Sequence, residues 1–392
     1  MTTPGCNGGG ALVLITGGAG FLGSHLADRL LAAGYRVRLL DNLDPQVHPP
    51  GVPAHLPAPA ELRVGSVLDP AAVEHALAGV AAVVHFAAVV GVGQSMYQIA
   101  RYNQVNLQGT AVLLEALLRR QRQPGSGLAR LLVAGSMSVY GEGCCWCVRC
   151  RGMRSAPKRA REQLRLQAWE PRCPDCGGSL QPRPTDEDKR PQLGSIYAMT
   201  KYMQEEMCLL FGRSYGLPTV ALRFFNTYGP RQALANPYTG VAAVFAAELL
   251  GGRAPQVFED GAQLRDLVSV HDVTAACQLA LENDSASGGV YNVASGRSLT
   301  VAELARRLAQ ALGVEIAPAI TGRFRLGDAR HCIADISAAR QRLGYQPRVS
   351  LEDGLRELAA WLRGQRTGSA LPPGAASQAH ATAELQAFGL IG

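Results

Sequence analysis

Tyr197 and Lys201 stand four residues apart in the run Tyr-Ala-Met-Thr-Lys. On a helix that spacing puts both side chains on one face. An ammonium held near a phenol favours the phenolate, so Lys201 is expected to draw the Tyr197 pKa below its ordinary value near ~10. The pair is then a base able to take a proton from a hydroxyl at neutral pH. Upstream, Gly17, Gly20 and Gly23 follow the apolar run 11–16 and open the apolar-rich segment 21–33. Strand, glycine turn and helix in that order cradle a pyrophosphate. Gly17 allows the tight turn, Gly20 lets the phosphates approach the backbone, and Gly23 lets helix and sheet pack closely. Asp41 closes the next apolar run, 18 residues after Gly23. A carboxylate there binds both ribose hydroxyls and disfavours a 2′-phosphate, which predicts NAD rather than NADP. A base beside a bound hydride acceptor is the equipment for oxidising an alcohol carbon.

These residues need a scaffold, and the hydrophobic pattern supplies one. Apolar strand-like runs at 11–16, 36–40, 62–65, 82–86, 130–134 and 219–224 alternate with helical segments at 21–33, 70–78, 100–120 and 195–215. Such alternation predicts an α/β fold, a Rossmann-type doubly wound parallel sheet. Beyond Tyr228 the rhythm loosens into Pro/Gly-rich loops, with a helix expected at 241–250, a strand near Val268 and a helix at 273–282. The expected organisation is a disordered start at 1–10, a dinucleotide-binding domain over 11–225, a smaller C-terminal lobe over 226–366 and a disordered tail over 367–392, rich in Ala, Gly, Pro and Ser.

One segment, 144–184, breaks the alternation. It holds six of the ten cysteines, among them Cys147-x-x-Cys150 and Cys173-x-x-Cys176, with 22 residues between the pairs. Two such knuckles offer four thiolates, a closed tetrahedral set for a structural zinc in a zinc-ribbon-like loop. Gly152 and Gly177 are expected to ease the two turns, and Cys144 is a possible substitute for Cys147. Nine Lys/Arg against three acidic residues lie in this segment, so it carries most of the chain's net charge of +7. The rest is nearly neutral, and no nucleic-acid partner is implied. Without metal, so small and basic a loop could not bury enough surface to fold. It is expected either to order a flap beside the reaction site, its arginines meeting phosphates, or to stand as a peripheral ornament or dimer contact.

The order of motifs along 12–363 resembles the extended short-chain dehydrogenases/reductases, in their nucleotide-sugar epimerase and dehydratase group. The residues that carry the resemblance are the glycine opening at 16–25, Asp41 with Asn42, Asp69, His85 to Ala88, Asn106, Ser136 with Tyr140, Tyr197 with Lys201, Arg223 to Asn226, Tyr228 to Arg231, Arg265 with Asp266, and Arg325 to Asp328. The resemblance implies a catalytic triad of Ser136, Tyr197 and Lys201. It implies cofactor contacts from Gly17, Gly20, Phe21, Leu22, Gly23, Asp41, Asn42, Asp69, Ala87, Ala88 and Asn106. Asp69 would sit near the adenine and Asn106 would brace the sheet. It also implies nucleotide-sugar contacts from Ser138, Asn226, Arg231, Arg265, Arg325 and Asp328, the arginines at 265 and 325 holding a diphosphate. Dehydratases of the group carry Asp-Glu after the catalytic Ser/Thr. This chain has Met137-Ser138, which argues for epimerisation at C4 through a transient ketone.

A narrower resemblance, to bacterial 4-epimerases of dTDP-L-rhamnose, rests on the loop 89–96, the cysteine insertion and the segment 236–240. It implies dTDP-6-deoxy-L-talose as product, with Val89, Val90 and Met96 suited to a 6-deoxy sugar. The alternatives weighed are a 4,6-dehydratase, a UDP-uronate 4-epimerase, and a non-catalytic dinucleotide-sensing protein. The last predicts decay of Ser136, Tyr197 and Lys201, which are all present. A chain of 392 residues with 47% hydrophobic and 18% charged content is ordinary for a globular protein. The longest apolar stretch, 76–93, contains His85 and several glycines and is too mixed to span a bilayer. No leader sequence is evident, so a cytoplasmic protein without a membrane partner is expected. Family analogy suggests a homodimer.

Overall fold

The structure, a computed structural model, describes residues 10–48, 50–233, 236, 238, 240–365 and 382–392. The expected disorder at 1–9 lies outside the described residues. Seven strands build the central sheet: β1 (Leu12–Thr16), β2 (Arg36–Asp41), β3 (Glu61–Val64), β4 (Ala82–His85), β5 (Arg130–Ser136), β6 (Thr219–Phe224) and β7 (Val290–Val293). Their spatial order is β7-β6-β5-β4-β1-β2-β3, and every pairing is parallel. The chain reverses direction between β1 and β4, where a doubly wound sheet opens a crevice for ligands. β1, β4, β5 and β6 are buried throughout, which explains why they read as unbroken apolar runs rather than alternating ones. Two apolar layers flank the sheet, one around Ile15, Leu26, Leu222 and Val273, the other around Leu14, Leu113, Leu131 and Phe211.

The smaller lobe packs the helices Val241–Leu250, Val301–Leu312 and Leu351–Gln365 around Phe245, Leu249, Leu304, Leu308 and Leu358. It does not occupy 226–366 without interruption. Helix Val270–Glu282 returns to the dinucleotide-binding half, where Arg29 donates to Gln278 at 2.8 Å. Strand β7 then completes the main sheet beside β6. The single helix expected over 100–120 is also divided. Six residues, Asn103–Gln108, are wound as a π-helix between two α-helical stretches. That insertion turns Asn106 inward, where it is fully buried.

The cysteine segment forms a three-stranded antiparallel sheet with Cys144–Cys147 in the centre, Gly152–Arg154 on one side and Gln181–Arg183 on the other. At the first knuckle Arg151 (φ 50°) takes the left-handed backbone, not Gly152 as expected. At the second, Gly177 (φ 69°) does so. Part of the expected tail disorder, 367–381, lies outside the described residues. Residues 382–392 are ordered, contrary to expectation: 382–387 are helical, and Ile391 bridges to Arg325. Composition missed this because Leu385 and Ile391 supply enough buried apolar surface to dock the segment. Among the described residues no helix is long and apolar enough to cross a membrane.

Candidate active site

The glycine turn after β1 is as tight as its spacing suggests. Gly17 has φ 68°, and a Cβ there would come within 2.9 Å of the Ala87 amide nitrogen. A Cβ on Gly23 would collide with the Gly17 carbonyl and the Gly18 backbone. Asp41 ends β2 with both oxygens engaged. One accepts the Ala19 amide at 3.0 Å, the other the Leu43 amide at 2.9 Å. That fixes the carboxylate beside the turn.

Gly17, Gly20, Phe21, Leu22, Gly23, Asp41, Asn42, Ala87 and Ala88 all line one cavity at the carboxyl ends of the strands. Tyr197 and Lys201 reach the same cavity from helix α1 (Ile196–Tyr215), whose first turn is capped by Ser195 accepting the Ala198 amide at 3.1 Å. The glycine cradle, the anchored carboxylate and the depth of the crevice suit a dinucleotide. Two residues expected at this cavity do not line it. Asp69 instead caps the helix Pro70–Leu77, accepting the Ala71 amide at 2.9 Å, and the wall there is Gly65 to Leu68. Asn106 exchanges hydrogen bonds with the Val89 backbone and donates to Thr200 at 2.9 Å, tying the loop after β4 to α1.

Ser136 terminates β5. Its hydroxyl accepts from Ser138, from the amide at 3.2 Å and from Oγ at 2.9 Å. Burial raises the Tyr197 phenol above its ordinary pKa, while its hydrogen bond with Ser136 pulls the other way. Burial lowers Lys201 to about 8, against the opposing pull of Cys208 and Glu205. The Lys201 ammonium donates to Gln204. The expected lowering of the phenol by Lys201 is therefore not what the protein alone produces: burial is the larger influence, and the opposing pull comes from Ser136 and not from the lysine. Gln204 also contacts His85 (2.9 Å) and Thr110 (3.0 Å). His85, fully buried, has its pKa pushed down to about 3 and stays neutral. This Lys–Gln–His network was missed; its only trace in the sequence is Gln204 one helical turn after Lys201.

A second cavity adjoins the first, and Asn226, Tyr238 and Gly240 line both. Ser138, Arg265, Arg325 and Asp328 line the second. The Asn226 Oδ1 and the Arg325 Nε are buried without a hydrogen-bond partner. Unmet polar groups at two separate points of the wall call for a polar ligand. The Arg325 guanidinium lies 4.3 Å from the Phe258 ring centroid. Arg265 donates to the carbonyls of Arg330 (3.0 Å) and Ala329 (2.6 Å). Phe258, Gln256 and Gln263 were not anticipated at this wall. Arg231, expected here, is elsewhere. With φ 66° it turns back to an ion pair with Asp28 at 2.7 Å, and it lines neither cavity.

The four sulfurs of Cys147, Cys150, Cys173 and Cys176 lie within 4.8 Å of one another. The Cys147–Cys176 and Cys150–Cys173 separations are 3.5 and 3.8 Å. A tetrahedral Zn–S₄ centre with bonds of ~2.3 Å places sulfurs roughly 3.8 Å apart, so the donor set fits zinc. The Cys150 amide donates to the Cys147 sulfur at 3.3 Å. Cys144 stands outside this cluster. None of the insertion's arginines lines the second cavity. Arg159 is buried between Glu142 (3.2 Å) and Glu259 (2.9 Å).

Residues 13–148 match the family described as NAD dependent epimerase/dehydratase, and residues 176–358 match GDP-mannose 4,6 dehydratase. The chain is 34% identical over 361 residues to a dTDP-L-rhamnose 4-epimerase of Burkholderia thailandensis, covering 90% of this chain and 95% of that protein. Two solved structures superpose closely. The UDP-glucose 4-epimerase of Thermotoga maritima, with UDP-glucose, has a TM-score of 0.73 and 30% identity, covering 91% and 99% of the two chains. That of Thermus thermophilus, complexed with NAD, has a TM-score of 0.70 and 31% identity, covering 90% and 99%.

Proposed function

The chain belongs to the NAD-dependent epimerase/dehydratase family, and we propose that Ser136, Tyr197 and Lys201 epimerise a nucleotide sugar at C4. The protein is an NAD-dependent nucleotide-sugar epimerase; which sugar it takes is our inference. The observation that carries the reading is the junction of the two cavities. Tyr197 and Lys201 line the cofactor side, Ser138 lines the other, and Asn226 is common to both. A sugar held in the second cavity would meet the base and the cofactor at that point.

NAD, when bound, supplies a reversible hydride acceptor. The chain's own residues do the rest. Tyr197 acts as the phenolate, its own proton having passed to solvent, and in that form takes the C4 hydroxyl proton and later returns it. Ser136 hydrogen-bonds the same oxygen, with its hydroxyl oriented by Ser138. Lys201 places an ammonium by the cofactor cavity, held by Gln204. Arg325 and Arg265 grip the diphosphate, leaving the sugar free to turn over as a ketone so that either face can be presented. Positioning of this kind contributes most of what the protein adds. Met137 has no proton to give, which disfavours dehydration.

We infer dTDP-L-rhamnose as the substrate. Support comes from the Burkholderia relative and from Met96, which with Val92 and Ser138 lines the second cavity; Val89 and Val90, expected to meet the sugar, line the cofactor cavity instead. Incubation with dTDP-L-rhamnose, followed by NMR, is expected to yield a C4 epimer. Conversion of other nucleotide sugars but not this one would discard the rhamnose assignment and keep the chemistry.

We further propose a structural zinc on Cys147, Cys150, Cys173 and Cys176. Metal analysis of the purified chain is expected to read about one equivalent of zinc, and a metal-free but fully folded insertion would sink the idea. A cytoplasmic setting suits nine described cysteines, none of which is in a disulfide. A homodimer is supported by Met199, Met203 and Leu210, exposed apolar side chains on α1.

A further inference from the structure

Residues 382–392 are tied down at both ends across the second cavity. At one end, the Glu384 carboxylate accepts from the phenols of Tyr97 and Tyr238, each at 2.8 Å. The Phe388 ring stacks on Tyr97 with centroids 4.8 Å apart and planes within 10°. At the other end, Phe324 and Gly392 exchange backbone hydrogen bonds of 2.9 and 3.0 Å, and the Leu326 amide donates to the Leu390 carbonyl at 3.0 Å. The segment thus pairs with the stretch that carries Arg325 through one antiparallel bridge, Arg325 to Ile391. Between the anchors, Arg161 of the cysteine insertion donates to the Gly389 carbonyl at 2.9 Å.

This segment is also part of the cavity wall. Thr382, Leu385 and Leu390 line the same space as Ser138, Asn226 and Arg325. Leu385 is only 5% exposed and packs on Gly93, where a Cβ would come within 2.9 Å of its Cδ2. Gly93 and Met96 belong to the short helical turn Val92–Ser95 and its cap after β4, next to Gly91, where a Cβ would come within 2.8 Å of the shared residue Tyr238. Leu385 therefore sits at the end where the sugar must lie to reach Tyr197, while Phe258 and Arg325 hold the other end.

We propose that residues 382–392 are a strap that completes the nucleotide-sugar site, and that Leu385 with Met96 forms an apolar wall selecting a sugar without an oxygen at C6. The proposal rests on the substrate reading above. Glu384 acts as a positioning residue, fastening the strap to the cofactor-side loop, and Leu385 as a specificity residue.

The test uses the full chain carrying Leu385→Gln or Glu384→Ala. Losing a buried leucine contact corresponds to about tenfold or more in affinity. Leu385→Gln is expected to raise KM for dTDP-L-rhamnose by about that factor while kcat and bound NAD stay within about twofold. The preference for dTDP-L-rhamnose over competing UDP-glucose should shrink by about the same factor. Glu384→Ala should raise KM for both sugars alike. Wild-type KM values and an unaltered preference in both variants would overturn the strap. A wild-type chain that converts neither sugar would instead defeat the catalytic reading. The strap would then be judged by calorimetric affinity for dTDP-L-rhamnose, where weakening by Leu385→Gln sustains it and equal affinity overturns it.

Discussion

At the scale of single residues, the site is built by desolvation. Burial raises the Tyr197 phenol above its ordinary pKa and pulls Lys201 down to about 8. Removing the phenolic oxygen alone is the sharpest probe of the proposed base. Tyr197→Phe is expected to lower kcat by ~10²–10⁴-fold while bound NAD and the thermal midpoint stay near those of the unaltered chain. Turnover within tenfold of wild type, measured by NMR time course, would remove Tyr197 from the mechanism. Burial also governs the pH response. His25 is lowered from 6.5 to about 4 by desolvation, opposed by its hydrogen bond to the Pro230 carbonyl. Between those values the unfolded chain holds a proton that the folded chain lacks, so stability falls as pH drops from 6.5 towards 4. His25→Gln keeps a donor for Pro230 and removes the titration. Its midpoint is expected to fall less steeply over that window and to match wild type at pH above 7. An unchanged slope would show that His25 is not the group responsible.

At the scale of elements, the glycine turn carries the strongest sequence signal because geometry leaves it no choice. Gly23 faces the Gly17 carbonyl and the Gly18 backbone, neither of which can move like a flexible side chain. Gly23→Ala is expected to destabilise the chain by ~1–3 kcal/mol and to cut bound NAD at least tenfold, read by denaturation and by cofactor absorbance after release. Retention of NAD would mean the turn tolerates a shift of the helix. The same logic explains what the sequence disclosed. The main strands, the helix bearing Tyr197 and the cysteine knuckles are local patterns with fixed spacing. Strand β7 is four residues long and lies after a change of lobe, so nothing local marks it as the sheet's seventh member. Asp69, Asn106 and Arg231 share the family's motifs, but their side chains are committed to a helix cap, a loop and a distant carboxylate. Those partners lie where sequence spacing carries no information. The strap was hidden for a different reason: its Ala/Gly/Pro/Ser-rich surroundings outweigh a few apolar residues in any composition average.

At the scale of the whole molecule, the cysteine insertion is a structural joint, because one of its arginines, Arg159, is buried in ion pairs with residues outside it. Arg159 pairs with Glu142 and Glu259, and Arg330 pairs with Glu259, Asp260 and Glu170. Glu142 precedes the insertion's first strand, Glu259 belongs to the smaller lobe, and Arg330 follows the stretch bearing Arg325 and Asp328. Trp169 and Leu164 pack on Phe324 and Leu326 from the same side. Arg159 also donates to the Asp328 carbonyl at 2.8 Å, so the insertion reaches the ligand wall through that backbone group. Arg159, Glu142 and Glu259 side chains are 3%, 6% and 3% exposed, which puts them where breaking a pair strands a buried charge at a cost of ~3–5 kcal/mol. Arg159→Met keeps the volume and removes the charge. It is expected to destabilise the chain by that order and to raise KM for the nucleotide sugar several-fold, with bound NAD unchanged. Salt separates this from direct phosphate binding. A solvent-facing arginine that met a phosphate would lose its effect as ionic strength rises, whereas a buried joint keeps the same difference between variant and wild type from low to high salt. A KM defect that vanishes in high salt, with stability untouched, would return Arg159 to the phosphate role that its sequence neighbourhood first suggested.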